Sequence, residues 1–205
     1  MIIGEDFVIG HPGKTGGDAI LHLCGHLSPA HRIHVDRPED GRKHHYFYRR
    51  EAEEPNLNLS RKAALLSFRR LPSWLVSYHA HFFRQAGLPV DEKQLMRGRI
   101  PFFALNPERT RWSYEPGDAL LKEFLDRVIE GWIRMEFLKV DLLSMLHRYL
   151  ALDPEEAGAI REDPFFKSSP PVPGWNPRFG DTEIKRIRRN NPLWTHYETL
   201  LYPDS

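Results

Sequence analysis

The chain has 205 residues, with 29 Lys+Arg against 28 Asp+Glu for a net charge of +1. That balance excludes a protein-wide nucleic-acid-binding field, so any positive site must be local. No apolar run reaches the ~18 residues of a membrane span; the N-terminal MIIGEDFVIG lacks the basic and apolar regions of a signal peptide, and the single cysteine excludes an intramolecular disulfide. A cytoplasmic domain is the expectation, with no membrane span and no nucleic-acid partner. Cys24 falls where the first helix should pack and reads as a buried structural thiol.

In chain order, Ile2 to Gly10 reads as a buried strand interrupted by the polar Gly4-Glu5-Asp6. Asp18 to Leu27 reads as a helix, with Ile20, Leu21, Leu23 and Leu27 on one side. A short strand fits Arg32–Val35 and a loop fits Pro38–Gly41, while HYFYRR at His45–Arg50 fits helix and strand equally. Ala63 to Phe68 is an apolar run of strand length, closed by Arg69-Arg70, and Pro72 then opens a helix. Asp91 is a plausible helix cap.

Pro116 to Glu130 carries a helical stripe of Leu120, Leu121, Phe124, Leu125, Val128 and Ile129, which Gly131 breaks. Trp132 to Glu136 alternates like a strand, with Arg134 and Glu136 read as a structural pair, and Val140 to Leu150 resumes helical spacing. Asp163 to Pro177 is a proline-rich loop or cover, and Thr182 to Tyr202 is helical with a break at Pro192. Strands alternating with helices predict a single α/β domain over residues 1–205, with a mostly parallel sheet flanked by helices.

The chemistry concentrates in FVIGHPGKTGGDAILHLCGHL, Phe7 to Leu27, where a strand meets a helix through His-Pro-Gly-Lys-Thr-Gly-Gly. Glycines there let the backbone approach a ligand, and a helix N-terminus offers N–H groups to an anion. Gly13-Lys14-Thr15 supplies the end of a Walker A loop, but the first glycine of GxxxxGK[ST] falls on Val8. Asp36 is the one weak candidate for a Walker B carboxylate.

HPGKTGGDAI resembles the phosphosulfate loop of sulfotransferases that use 3′-phosphoadenosine 5′-phosphosulfate (PAPS), usually Pro-Lys-Thr-Gly-Gly/Ser/Thr-Thr/Ser. Arg69 and Ser77 have the spacing of the family's second signature, an Arg after a strand and a Ser eight residues on in the next helix. IRMEFLKVDLLSML and NPLWTHYETLLYPD are similar to two further family segments, so the resemblance spans residues 7 to 202 in the family's order. It implies a P-loop-NTPase-like sulfotransferase core with PAPS as donor, no metal, and a small-molecule, sugar or lipid acceptor.

On that resemblance, Lys14 neutralises the bridging oxygen of the phosphosulfate as the S–O bond breaks. Gly13, Thr15, Gly16 and Gly17 offer N–H groups, and Thr15 its hydroxyl, to the 5′-phosphate. Arg69 makes a charge-assisted fork on the 3′-phosphate and Ser77 adds a hydrogen bond. Gly13 replaces the family's proline, and Asp18 stands where Thr or Ser is usual, a carboxylate that must turn away to cap the helix.

Sulfuryl transfer to a hydroxyl benefits from a general base. Of eleven histidines, His31, His34, His44 and His45 lie between the two phosphate signatures; His45 is the first choice, and His11 abuts the loop. No histidine pair has a Cys or carboxylate neighbour at zinc spacing, so no metal site is expected. Two other readings stay open: a P-loop nucleotide kinase or NTPase needing an acidic Mg²⁺ ligand near Thr15, and a non-catalytic binding protein on the same fold. The Lys185, Arg186, Arg188, Arg189 cluster reads mainly as a solvated helix face.

Overall fold

The computed structural model describes residues 1–36, 46–87, 89–102, 113–164, 175 and 177–203. The chain forms two compact units, each built from two stretches: Met1–Arg69 with Glu123–Lys167, and Arg70–Lys122 with Ser168–Ser205.

The first unit holds a five-stranded sheet of β1 (Ile2–Ile3), β2 (Phe7–Gly10), β3 (His34–Val35), β4 (Ala63–Phe68) and β7 (Gly131–Arg134), in the order β3-β1-β2-β4-β7. The polar Gly4-Glu5-Asp6 is a tight turn rather than an interruption. Gly4 N–H donates to Phe7 C=O at 2.9 Å, and a Cβ on Gly4 would overlap the Phe7 ring. β1 therefore folds back antiparallel on β2 and also pairs antiparallel with β3. β2/β4 and β4/β7 are parallel. The α/β class holds, but the sheet is mixed rather than mostly parallel, because a three-residue turn can only make a hairpin.

Strand alternation sends Phe7, Ile9, Leu65 and Ile133 into one core. They pack there with Ile20 and Leu23 of α1 (Gly17–Cys24), Leu142 and Leu146 of α6 (Leu138–Tyr149), and Ile160 of α7 (Pro154–Glu162). The other face meets α2 (Phe47–Glu53), where Phe47 lies so close to Gly10 that any side chain there would collide with its ring. HYFYRR thus resolves into helix from Phe47 onward. Asp153 caps α7, Pro154 fills its first turn, and Glu156 completes a capping box.

The helix expected over 116–130 stops early: α5 covers only Gly117–Lys122. Its stripe feeds two cores. Leu120 and Leu121 are buried in the second unit, while Phe124 is buried in the first, edge-on to Tyr46 and Phe47 at 5.2 and 6.1 Å. Val128 is 81% exposed, so this residue of the stripe faces solvent.

The second unit contains α3 (Leu71–Ala86), α4 (Glu92–Leu95), the hairpin β5 (Arg99–Phe102) and β6 (Ser113–Pro116), α5, α8 (Asp181–Asn190) and α9 (Pro192–Leu201). Asp91 caps α4 as expected, accepting from Gln94 N–H at 3.1 Å. Trp74 and Trp194 stack with ring centroids 3.9 Å apart, both fully buried. Buried Asp118 caps α9 from a distance, accepting from Leu193 and Trp194 N–H, each at 2.8 Å. Glu198, also buried, accepts from Leu71 N–H at 2.9 Å and so satisfies the start of α3. Among the described residues, no helix is long and apolar enough to cross a membrane.

Candidate functional site

The carboxyl ends of β2, β4 and β7 lie side by side, since Gly10 pairs with Leu66 and Phe68 with Arg134. Ligands of α/β proteins bind where parallel strands end. At this edge the chain places the His11–Gly16 loop after β2, Arg69 after β4, and Arg134-Met135 at the end of β7. All belong to the first unit.

The loop is sharply bent. Lys14 has φ 67° and Gly16 φ 93°, so two left-handed residues flank Thr15. Left-handed residues turn successive N–H groups into an anion-binding concavity, and for a residue with a Cβ such as Lys14 the conformation costs about 1–2 kcal/mol. The glycines also answer to packing. A Cβ on Gly16 would overlap the Met135 sulfur, and one on Gly17 would overlap the buried His11 ring. α1 starts at Gly17 with Gly16 as its N-cap, and Asp18 lies half-buried in its first turn.

Thr15 is a latch. Fully buried, it donates its backbone N–H (3.1 Å) and its hydroxyl (2.6 Å) to Pro12 C=O. With that hydrogen spent, its oxygen accepts from Ser67 of β4 at 2.6 Å. The hydroxyl is thus turned to the sheet rather than presented to a ligand. Thr15→Val keeps the shape and the backbone bond to Pro12 C=O but deprives the buried Ser67 hydroxyl of its Thr15 partner. It is expected to cost about 1–3 kcal/mol, read as a lower urea midpoint; an unchanged midpoint would show that the latch contributes nothing.

Arg134 is anchored by a carboxylate further along the chain. Its guanidinium grips Asp141, with Nε to Oδ2 at 2.7 Å and Nη2 to Oδ1 at 2.8 Å, while Asp141 also accepts the Arg134 N–H at 2.9 Å. The fork fixes the start of α6 against the end of β7. Lys14 and Arg69 are both half-buried. Ser77 lies on α3, in the second unit.

Among the candidate bases, His31 reaches Glu156 (3.0 and 3.1 Å) and His34 reaches Asp36 (3.1 Å), while His44 and the first choice, His45, lie outside the described residues, as does the loop at 38–41. Hydrogen bonds from the Ser28 backbone lower the Glu156 pKa; burial opposes them, and His31 adds to the lowering. Asp36 is not a free metal ligand. It is 1% exposed and takes Arg50 Nε on both oxygens at 3.1 and 3.0 Å, with the Met1 amino group at 3.3 Å. Cys24 is buried, and burial raises its thiol pKa to about 12, which suits a structural rather than a reactive group.

One cluster went unread in the sequence. His22 and His26 both direct Nε2 at Asp163 Oδ2, at 3.0 and 2.5 Å. The four-residue spacing of the histidines was legible, but a carboxylate 137 residues further on was not. The second unit carries an open groove of about 470 Å³ between α8 and α9, lined by Arg188, Arg189, Thr195 and His196 among others, and none of the expected site residues lines it. In comparisons with known proteins, the chain matches no family model, no curated protein and no solved structure.

Proposed function

We propose that the first unit binds a phosphosulfate nucleotide and transfers its sulfuryl group to a hydroxyl or amine acceptor, with PAPS as the donor. The observation that carries the reading is the bent Gly-Lys-Thr-Gly loop at the carboxyl end of β2, beside the parallel strand that delivers Arg69. In the proposed step the acceptor oxygen attacks sulfur and the bond from sulfur to the bridging phosphate oxygen breaks. Lys14 stabilises the charge that develops on that oxygen. The acceptor proton passes to a histidine of the 31–45 segment, with His45 the first choice.

Metal-free phosphate handling fits these residues better than a Mg²⁺-dependent NTPase. The two groups an NTPase would give to the metal are occupied: the Thr15 hydroxyl by Pro12 and Ser67, and the Asp36 carboxylate by Arg50. Gly13, Lys14, Gly16 and Gly17 then supply the phosphate donors, with Thr15 and Asp18 shaping the loop. Arg69 takes the 3′-phosphate.

Calorimetric titration with 3′,5′-adenosine bisphosphate in the absence of Mg²⁺ tests this. Lys14→Ala and Arg69→Ala should each weaken binding roughly 10- to 100-fold, the worth of a hydrogen bond to a charged group. Binding of ATP with Mg²⁺ but not of the bisphosphate would replace the reading with a kinase or NTPase. Silence for both ligands from the folded protein would leave a non-catalytic fold.

A further inference from the structure

We propose that His22, His26 and Asp163 form a binding site for a divalent transition metal of the zinc class, independent of the sulfuryl-transfer reading. His22 is in the last turn of α1, and the chain continues past Cys24 through tight turns (Gly25 N–H to His22 C=O, His26 N–H to Leu23 C=O) that bring His26 over the same side. Two imidazoles four residues apart on one helical face are a recurrent zinc-binding pair. Asp163 closes the end of α7, and its carboxylate comes from a different part of the first unit.

The three ligand atoms lie within 4.8 Å of one another. A tetrahedral zinc with bonds of about 2.0–2.1 Å sets its ligands roughly 3.3–3.5 Å apart. The His–Asp distances of 3.0 and 2.5 Å need only widen by less than about an ångström to admit it. Both rings offer the same nitrogen, Nε2, to one point, and they stand edge to face with centroids 5.9 Å apart, so neither blocks the other. Imidazole with carboxylate is a donor set that favours zinc, copper or nickel over magnesium.

Exposure divides the roles. The Asp163 side chain is 6% exposed and forms the floor, whereas the His22 and His26 side chains are 40% and 33% exposed and leave an entry path. Lys139 fixes the turn that carries Asp163 by donating to the Arg161 and Asp163 carbonyls, so the carboxylate is presented from a braced backbone. Three protein ligands leave the fourth position to water. Hydrogen bonding alone would also satisfy the carboxylate, and the two readings diverge on adding metal. A bound ion would clip the end of α1 to the end of α7.

The experiment is equilibrium dialysis and calorimetry of the chelator-stripped full chain with Zn²⁺, with Mg²⁺ as the comparison. One equivalent of Zn²⁺ should bind, Mg²⁺ should not, and the melting temperature should rise with Zn²⁺ concentration. Asp163→Asn and His26→Gln, which retain hydrogen-bonding groups and shape, should each weaken Zn²⁺ binding by roughly 100-fold, at or beyond the loss from removing even an outer-shell partner. Should either variant fail to fold, NMR of the wild-type imidazoles decides the matter: Zn²⁺ must shift the His22 and His26 ring signals together. Failure to bind an equivalent of Zn²⁺, binding unchanged in both variants, or shifts confined to other histidines would each overturn the proposal.

Discussion

Replacing Asp36 by alanine is expected to remove about 3–5 kcal/mol from the unfolding free energy, the cost of breaking a buried ion pair by deleting one partner. The Arg50 side chain is fully buried and Asp36 is 1% exposed, so water cannot take over the lost role. Two features set the size. Arg50 keeps a second carboxylate, Glu54 at 2.8 Å, but that group is 43% exposed and more weakly held by the interior field. Meanwhile the Met1 amino group and His34 lose their shared acceptor too. A urea titration measures the loss; a change below about 1 kcal/mol would mean that Glu54 carries Arg50 alone.

The same carboxylate makes the fold acid-sensitive. Burial alone would raise its pKa, but the Arg50 hydrogen bonds and the Met1 and Arg50 charges outweigh burial and hold it below the ordinary 3.8. A group whose folded pKa is depressed stabilises the protein fully above its unfolded value and loses that contribution as pH falls through the folded one. Asp36→Asn should therefore flatten the fall of unfolding free energy as pH drops below about 4. Parallel curves for variant and wild type would sink this assignment.

Trp194→Ala is expected to cost about 3–5 kcal/mol, the range for truncating a buried large aromatic. Trp194 loses its stack on Trp74 at 3.9 Å, and its own backbone stays pinned because Asp118 accepts its N–H. Gly117 lies against the Trp74 ring, where a Cβ would come within 2.6 Å, so neighbouring backbone limits collapse into the gap. Trp194→Phe should recover more than half of the loss, because it restores ring contact. Denaturation followed by circular dichroism distinguishes the cases; equal destabilisation by alanine and phenylalanine would show that the stack is not what matters.

Local signals and tertiary contacts divide what the sequence reveals. Ala63–Phe68 was legible because a mainly apolar run between Lys62 and Arg69 suits a strand buried on both faces, and all six residues are buried. The breaks at Pro72 and Pro192 were legible because proline fixes where a helix can start. The hairpin at Gly4–Asp6 was not, since a polar gap of three residues reads the same whether the chain continues or reverses. The overlong helix at 116–130 failed because a stripe records that residues are buried, not which core receives them. At the site, the loop's position was legible, but the duty of Thr15 was not: its partner Ser67 lies 52 residues away. The Asp163 carboxylate was hidden for the same reason.

The order of assembly follows from the strand arrangement. β4 sits between β2 and β7, yet β7 is complete only 66 residues after β4 ends, from Phe68 to Arg134, with much of the second unit between them. At about 5–20 residues per second, a ribosome takes roughly 3–13 s to cover that interval. Throughout it the nascent chain carries AALLSF with one hydrogen-bonding edge bare, a template for pairing with another chain. Yield in a cell should thus depend on translation speed and on chaperones that shield that edge, even for variants whose finished fold is as stable as the parent.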